Sequence, residues 1–263
     1  MSFSINHLGN NGHLGNQMFQ YSVVKAFAKK YNTEYCIPPS NIFGKHYYQN
    51  LFSNIDEAFD IKCYRGISSY TNVNERFFHY DSELVEALSN GDYNLVGFFQ
   101  SEKYFKNIED ELRTNDFVFK EEIQDDCSDI VDQYKDSIAI HIRRNDFLKN
   151  PNHPVQDNQY YIDGLGEFPT DIPVLVFTDD TEWAKQQDIF SDDRFIISET
   201  DNAYYDLYIM SKCKYHVICN STFSWWGAWL ANSQNVVAPK KWFAGDCINH
   251  NTDDLYLSHW KII

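Results

Sequence analysis

The sequence predicts an α/β fold built on a doubly wound parallel sheet, and three stretches carry that reading. Between Pro173 and Ala238, short apolar runs alternate with runs of helical length, the pattern of parallel strands joined by crossover helices. Ser137-Ile-Ala-Ile-His-Ile-Arg-Arg-Asn-Asp146 is a β-branched run ending abruptly in charge, as a buried strand does when it delivers polar groups to the carboxyl end of an open sheet. Near the amino terminus, Gly12-His-Leu-Gly-Asn-Gln-Met-Phe-Gln-Tyr21 is a glycine-bearing turn that runs straight into helical periodicity.

At 263 residues and 43% apolar composition, the chain can bury a sizeable core and is long enough for two compact α/β lobes. Its 38 acidic against 22 basic residues give a formal charge of −16, which disfavours nucleic acid and anionic membrane surfaces unless basic groups are locally concentrated. Cys36, Cys63, Cys127, Cys213, Cys219 and Cys247 form no C-x-x-C pair and follow no cleavable leader, so free thiols in a reducing cytosol are expected. The longest uncharged stretch, Val217 to Pro239, is interrupted by Asn220, Ser221, Thr222, Ser224 and Asn232-Ser-Gln-Asn235, so no transmembrane helix is expected there. The expected location is cytoplasmic, with membrane contact at most peripheral.

In chain order, a strand at Phe3 to Ile5 precedes the glycine turn. His7-Leu-Gly-Asn10 recurs as His13-Leu-Gly-Asn16, and only the second copy leads into a helix, so the candidate site falls there. Gly15 would let the backbone approach a ligand and Asn16 would cap the helix, an arrangement suited to a sugar or phosphate. Glu34 to Ile37 reads as a second strand, whereas Pro38 to Tyr80 shows little periodicity. Tyr93 to Phe99 is a strand closing on Gln100-Ser-Glu-Lys-Tyr-Phe105, whose polar side chains would project beside the glycine turn. Glu102 is read as an exposed helix-start carboxylate in preference to a base. Ile108 to Arg113 reads as helical, and the acidic stretch Lys120 to Asp136 holds the expected lobe boundary, placed after residue 130.

Adjacent side chains on a strand alternate faces, so Arg143 and Arg144 should point apart, one toward a ligand and the other toward its neighbours. A fixed guanidinium fork suits phosphate or carboxylate, although ordinary salt bridges in an acidic protein would explain the pair equally well. Asn150-Pro-Asn-His-Pro154 breaks the chain into a loop, and Tyr160 to Leu165 forms a short helix. Pro173 to Phe177 is a strand ending in Thr178-Asp-Asp180, whose carboxylates could take a base or ribose or could cap the helix Thr181 to Gln187. Arg194 to Ile197, Tyr215 to Cys219 and Val236 to Ala238 are further strands, with a helix over Asp201 to Cys213. Asn220-Ser-Thr-Phe-Ser-Trp-Trp-Gly-Ala-Trp-Leu230 sets four small polar side chains before an indole-lined helix, a start that binds oxyanions well. At least two of its three Trp residues should be core.

Together, Gly12 to Tyr21, Gly97-Phe-Phe-Gln-Ser-Glu-Lys-Tyr-Phe105, His141-Ile-Arg-Arg-Asn-Asp146, Phe177-Thr-Asp-Asp180 and Asn220 to Leu230 resemble, in order, the α-1,2-fucosyltransferases of glycosyltransferase family 11. Ser22 and Asn145 depart from the Ala and Gly usual there. The resemblance implies a GT-B fold of two Rossmann-like lobes with a cleft between them, residues 1–130 on the acceptor side and 131–263 binding the donor. It implies an inverting transfer of fucose from GDP-L-fucose to a galactose hydroxyl of an oligosaccharide or surface glycan. The catalytic candidates are then Arg143, Arg144 and Asp146. Donor-binding candidates are Gly15, Asn16, Gln17, His141, Asp179, Asp180, Asn220, Ser221, Thr222 and Ser224. On the family pattern Arg143 or Arg144 holds the β-phosphate, His141 and Asp179 or Asp180 face the guanosine, and Ser221 and Thr222 bind the diphosphate.

The chemistry asks for those residue types independently. Breaking the C1–O bond leaves oxocarbenium character on the sugar and added negative charge on GDP, which a preorganised Arg and helix-start donors stabilise. The sequence contains no D-x-D, so neither metal nor cofactor is expected. Asp146, Glu102 and His13 remain alternatives for the base. Transfer with another linkage, of α-1,6 type, and a non-catalytic module binding glycans or nucleotide-sugars are the competing readings.

Overall fold

The computed structural model describes residues 1–9, 12–37, 55–59, 61, 70–88 and 91–263. They divide into two compact units, Met1–Lys120 with His250–Tyr256 and Glu121–Asn249 with Leu257–Ile263.

In the first unit the chain runs β1 (Ser2–Ser4), α1 (Leu14–Lys30), β2 (Glu34–Cys36), α2 (Ile55–Ala58), β3 (Thr71–Asn74), α3 (Ser82–Ala87) and β4 (Asp92–Val96). The four strands form a parallel sheet in the order β2-β1-β4-β3. The strand β3 falls where no periodicity was evident, because Thr71-Asn-Val-Asn74 buries only Val73. Along α1, thirteen of seventeen residues are buried, so this helix is core on nearly every side. Its polar residues are absorbed locally: Ser22 Oγ donates to the Met18 carbonyl at 2.7 Å, and Gln17 Oε1 accepts from Ile55 N at 3.0 Å. The helix stops at Tyr31 because Asn32 turns left-handed at φ +50, a conformation amide side chains tolerate.

The second unit runs α4 (Glu121–Asp126), α5 (Ser128–Tyr134), β5 (Ile138–Ile142), α6 (Asn158–Leu165), β6 (Val174–Thr178), α7 (Thr181–Lys185), β7 (Phe195–Ile197), α8 (Ala203–Met210), β8 (Tyr215–Val217), α9 (Thr222–Leu230), β9 (Asn235–Ala238) and β10 (Lys261–Ile262). It begins at Glu121 rather than after residue 130, because α4 packs on α8 and Tyr205 donates a hydrogen bond to Asp126. The six strands are parallel in the order β10-β9-β8-β5-β6-β7. Read from the other edge, that is the Rossmann order, with the winding direction reversing between β5 and β8.

Strand alternation puts Ile138, Ile140 and Ile142 on one face of β5, where they pack with Val174, Val176, Val217, Val237 and Tyr161. Across α9, Trp225, Trp226 and Trp229 are all buried, with adjacent rings 4.9 Å apart edge to face. All three indoles are therefore core, each contributing roughly 1.5–3 kcal/mol of apolar burial. Cys36, Cys127, Cys213, Cys219 and Cys247 are free thiols, and Cys63 lies outside the described residues. Among the described residues, no helix is long and apolar enough to cross a membrane.

Candidate active site

The site of the second unit lies where its strand order reverses, outside the carboxyl ends of β5 and β8, which is where open α/β sheets form their ligand crevice. β5 delivers His141, Arg143 and Arg144 there, and β8 delivers Cys219 to Ser224 at the opening of α9.

The two arginines do part company. Arg143 donates from Nε and Nη2 to the two carboxylate oxygens of Asp146, each at 2.9 Å, and lies over the Phe147 ring at 5.3 Å. Arg144 donates from Nε to Asp180 Oδ2 at 3.1 Å and lies 3.9 Å from the centroid of Trp183. Phe147 in turn stacks on His153 at 5.0 Å, and His153 meets Phe243 at 5.5 Å. A pile of rings thus braces the Arg143 loop. The sequence marked 150–154 only as a chain break, so His153 was missed.

Asp179 and Asp180 both find partners in the protein. Asp179 accepts from Arg144 N at 2.8 Å and Asn145 N at 3.3 Å, and the Asn145 amide also reaches the Asp179 carbonyl. Burial raises the Asp179 carboxyl above its ordinary range, against those hydrogen bonds. Asp180 caps α7 by accepting from Trp183 N at 3.2 Å. Of the two readings left open for this pair, the cap is the one present in the structure for Asp180.

His141 is buried, with Nδ1 3.2 Å from Cys219 Sγ and its ring 5.3 Å from Phe223. Burial, then the charge of Arg143, lowers His141 to about 3, while burial pushes the Cys219 thiol up to about 12. The pair is therefore thiol and neutral imidazole, not thiolate and imidazolium. His141 offers a ligand a neutral hydrogen bond rather than a charge.

At the opening of α9, Asn220 is committed to the fold: its Nδ2 donates to the Trp242 carbonyl at 3.0 Å and its Oδ1 accepts from Gln156 at 2.9 Å. Ser224 is fully buried and donates to the Ser221 carbonyl at 3.2 Å. Ser221 Oγ caps the helix by accepting from Phe223 N at 3.3 Å, and Thr222 lies half-buried at the first helical position. The groups that remain for an oxyanion are the first-turn N–H donors other than that of Phe223 and the Thr222 hydroxyl.

In the first unit, Gly15 and Asn16 lie inside the first turn of α1, whose cap position is His13. Asn16 is therefore not the cap, and its Oδ1 instead accepts from Gln100 Nε2 at 2.8 Å. The left-handed glycines are Gly9 and Gly12, at φ +82 and +87, rather than Gly15. A Cβ on Gly12 would sit 2.2 Å from Asn16 Nδ2, so the turn admits no side chain there. Glu102 opens a short 3-10 turn and pairs with Lys106 at 3.3 Å, in keeping with a helix-start carboxylate, though it is largely buried. Among the described residues, no group of three or more His, Cys, Asp or Glu is placed to hold a metal ion.

Among solved structures, the fold is similar to fucosyltransferase NodZ from Bradyrhizobium, with TM-score 0.56 and 12% identity over 93% of this chain and 96% of that one. It is also similar to POFUT1 in complex with GDP, with TM-score 0.51 and 12% identity over 88% of this chain and 95% of that one. Parallel sheets in both units, with the second wound in Rossmann order, are of the GT-B type that these neighbours share.

In sequence, the chain is 31% identical to an α-1,2-colitosyltransferase of Escherichia coli over 90% of this chain and 92% of that protein. It is 27% identical to the O-antigen biosynthesis glycosyltransferase WbnK of Escherichia coli over 95% and 97%. Against the human galactoside α-(1,2)-fucosyltransferase 1 it is 23% identical over 86% and 65%. Residues 2–263 match the model of glycosyl transferase family 11, and the chain belongs to that family.

Proposed function

We propose that this family 11 glycosyltransferase moves L-fucose from GDP-L-fucose to the 2-hydroxyl of a galactose residue in a glycan, with inversion at the anomeric carbon. The observation that supports this reading is the Arg143–Asp146 fork just past the end of β5, at the same switch point as the start of α9. As the C1–O bond breaks, negative charge grows on the departing diphosphate. A guanidinium held in advance by Asp146 meets it without reorganisation, and the first-turn N–H groups of α9 with the Thr222 hydroxyl add neutral donors. Arg144 acts through the loop, tying it to Asp180 and Trp183, and neutral His141 orients the nucleotide.

The relative named for colitose supports a second donor reading, since colitose is fucose without its 3-hydroxyl. GDP-fucose and GDP-colitose are therefore offered in parallel with a panel of galactosides, and the product linkage is read by NMR. Release of GDP with a new α-1,2 linkage to galactose is the expected result, and the faster donor identifies the sugar. Turnover should persist in EDTA, since the Arg fork supplies the charge that a D-x-D site would draw from a metal. Turnover of neither donor, or a thermal shift with UDP equal to that with GDP, would remove the proposal.

A further inference from the structure

The buried amide of Gln100 is only half satisfied. The side chain is 7% exposed, its Nε2 donates to Asn16 Oδ1 at 2.8 Å, and its Oε1 is buried without a hydrogen-bond partner. Leaving such a carbonyl unpaired costs stability, and most folds avoid it.

This fold instead builds a support that holds it. Phe99 is left-handed at φ +54, a strained conformation for a bulky residue and one that persists only where its surroundings enforce it. Glu75 enforces it: its carboxylate accepts from Phe98 N at 2.8 Å and Phe99 N at 2.9 Å. Ser101 N closes the turn on the Phe99 carbonyl at 2.8 Å, and Gln20 Nε2 holds the Gly97 carbonyl at 3.0 Å. A Cβ on Gly97 would approach Glu75 Cβ to 2.4 Å, so the glycine is what lets the carboxylate close on the loop.

The position is also that of a ligand site. In the order β2-β1-β4-β3, β1 and β4 are parallel neighbours at the centre of the sheet. Gln100 follows β4, and its partner Asn16 opens the helix that follows β1. Open α/β sheets bind their ligands outside the carboxyl ends of their strands, where this pair lies. Chemistry narrows the occupant. An unpaired carbonyl oxygen repels phosphate and accepts from a donor, and Glu75 beside the loop adds no attraction for an anion. In a glycosyltransferase the abundant neutral donor is a sugar hydroxyl.

We infer that Gln100 is a specificity-determining residue of the first unit whose Oε1 accepts a hydrogen bond from one hydroxyl of a bound sugar. The inference rests on the glycosyl-transfer reading above. The hydroxyl belongs either to the transferred deoxyhexose or to the acceptor galactoside, and the test separates them.

Steady-state kcat/KM is measured for wild type, Gln100→Met and Gln100→Glu, with melting curves for each. One arm varies the donor among singly deoxygenated GDP-fucose analogues, and the other varies the acceptor among singly deoxygenated galactosides. Wild type should discriminate against one analogue by about 10- to 100-fold, the range a buried unpaired carbonyl implies. Gln100→Met should lose a similar factor on the parent substrate and no longer discriminate against that analogue, while Gln100→Glu, which keeps an acceptor oxygen, retains the discrimination. The arm in which this occurs names the source. Equal turnover of every analogue by wild type would overturn the inference even if Gln100→Met fails to fold. So would a folded Gln100→Met that keeps the wild-type pattern, since the carbonyl would then be serving only a buried water. Failure of wild type to turn over any donor would remove the transfer reading and this inference with it, whereas the two preceding results leave that reading standing.

Discussion

Arg143 and Arg144 are adjacent in sequence and held by different carboxylates: Asp146 grips Arg143 through two bonds of 2.9 Å, while Asp180 holds Arg144 through one of 3.1 Å. The first follows β5 near enough to His141 for its charge to lower the pKa of that imidazole, and the second lies 3.9 Å from the centroid of the Trp183 ring. Arg143→Ala should therefore lower donor turnover by about 100- to 1000-fold while the protein melts normally. Arg144→Ala should instead lower the melting temperature, by the equivalent of about 1–2 kcal/mol, since it removes a half-buried ion pair and a cation–π contact. Lys at 143 should rescue poorly, because a point charge cannot copy the fork. GDP release and thermal unfolding of the two mutants check the assignment, and near-native turnover in both would sink it.

Asp146 accepts from Arg143 through both oxygens, and on the proposed reading it positions the fork. Asp146→Asn keeps one acceptor oxygen but loses the charge that orients the fork. A fall of about tenfold in turnover is expected, smaller than that of Arg143→Ala, without a displaced acidic limb in the pH profile. If the base were Asp146, the variant would lose as much as Arg143→Ala and the limb would vanish.

Burial pushes Asp206 up to about 6, although Thr200 and Ser198 each donate to it at 2.7 Å. With the folded-state pKa above the ordinary 3.8, the native state binds the proton more tightly than the unfolded chain does. The stability this group contributes is thus present at low pH and lost as pH rises from about 3.8 to about 6. Melting temperature should fall with pH more steeply across that window in wild type than in Asp206→Asn. Parallel curves would refute the assignment.

Burial holds Cys127 near 11 and Cys213 and Cys219 near 12, so none presents a thiolate at neutral pH. Brief iodoacetamide treatment at neutral pH should label Cys36 and Cys247, which are partly exposed, and spare these three. Peptide mapping reads the outcome, and early labelling of Cys219 would mean that the His141 side of the site is open.

Gly12→Ala forces a Cβ into Asn16 at a left-handed backbone position. A loss of about 1–3 kcal/mol in stability is expected by chemical denaturation. Gly15→Ala, inside α1, should cost less.

Local patterning determined a great deal of this protein. The β-branched run before Arg143, the strand and helix alternation after Pro173 and the indole-lined helix after Ser221 each lie within one element, where periodicity and burial are coupled. Arg143 and Arg144 meet different partners, as expected, but both lie beyond Ile142 where β5 ends, so strand alternation is not what separates them. Tertiary structure alone decided that Arg144 meets Asp180, 36 residues away past the end of β6, whereas Asp146 lies three residues from Arg143. It also committed Asn220 and Ser224 to the fold and moved Asn16 from cap to partner of Gln100. The role of Glu75 was invisible from a chain stretch without periodicity: its two backbone partners, Phe98 and Phe99, are brought to it by the pairing of β3 with β4. Periodicity reports which face of an element is apolar. Which distant polar group satisfies another depends on strand order, and no local pattern encodes that.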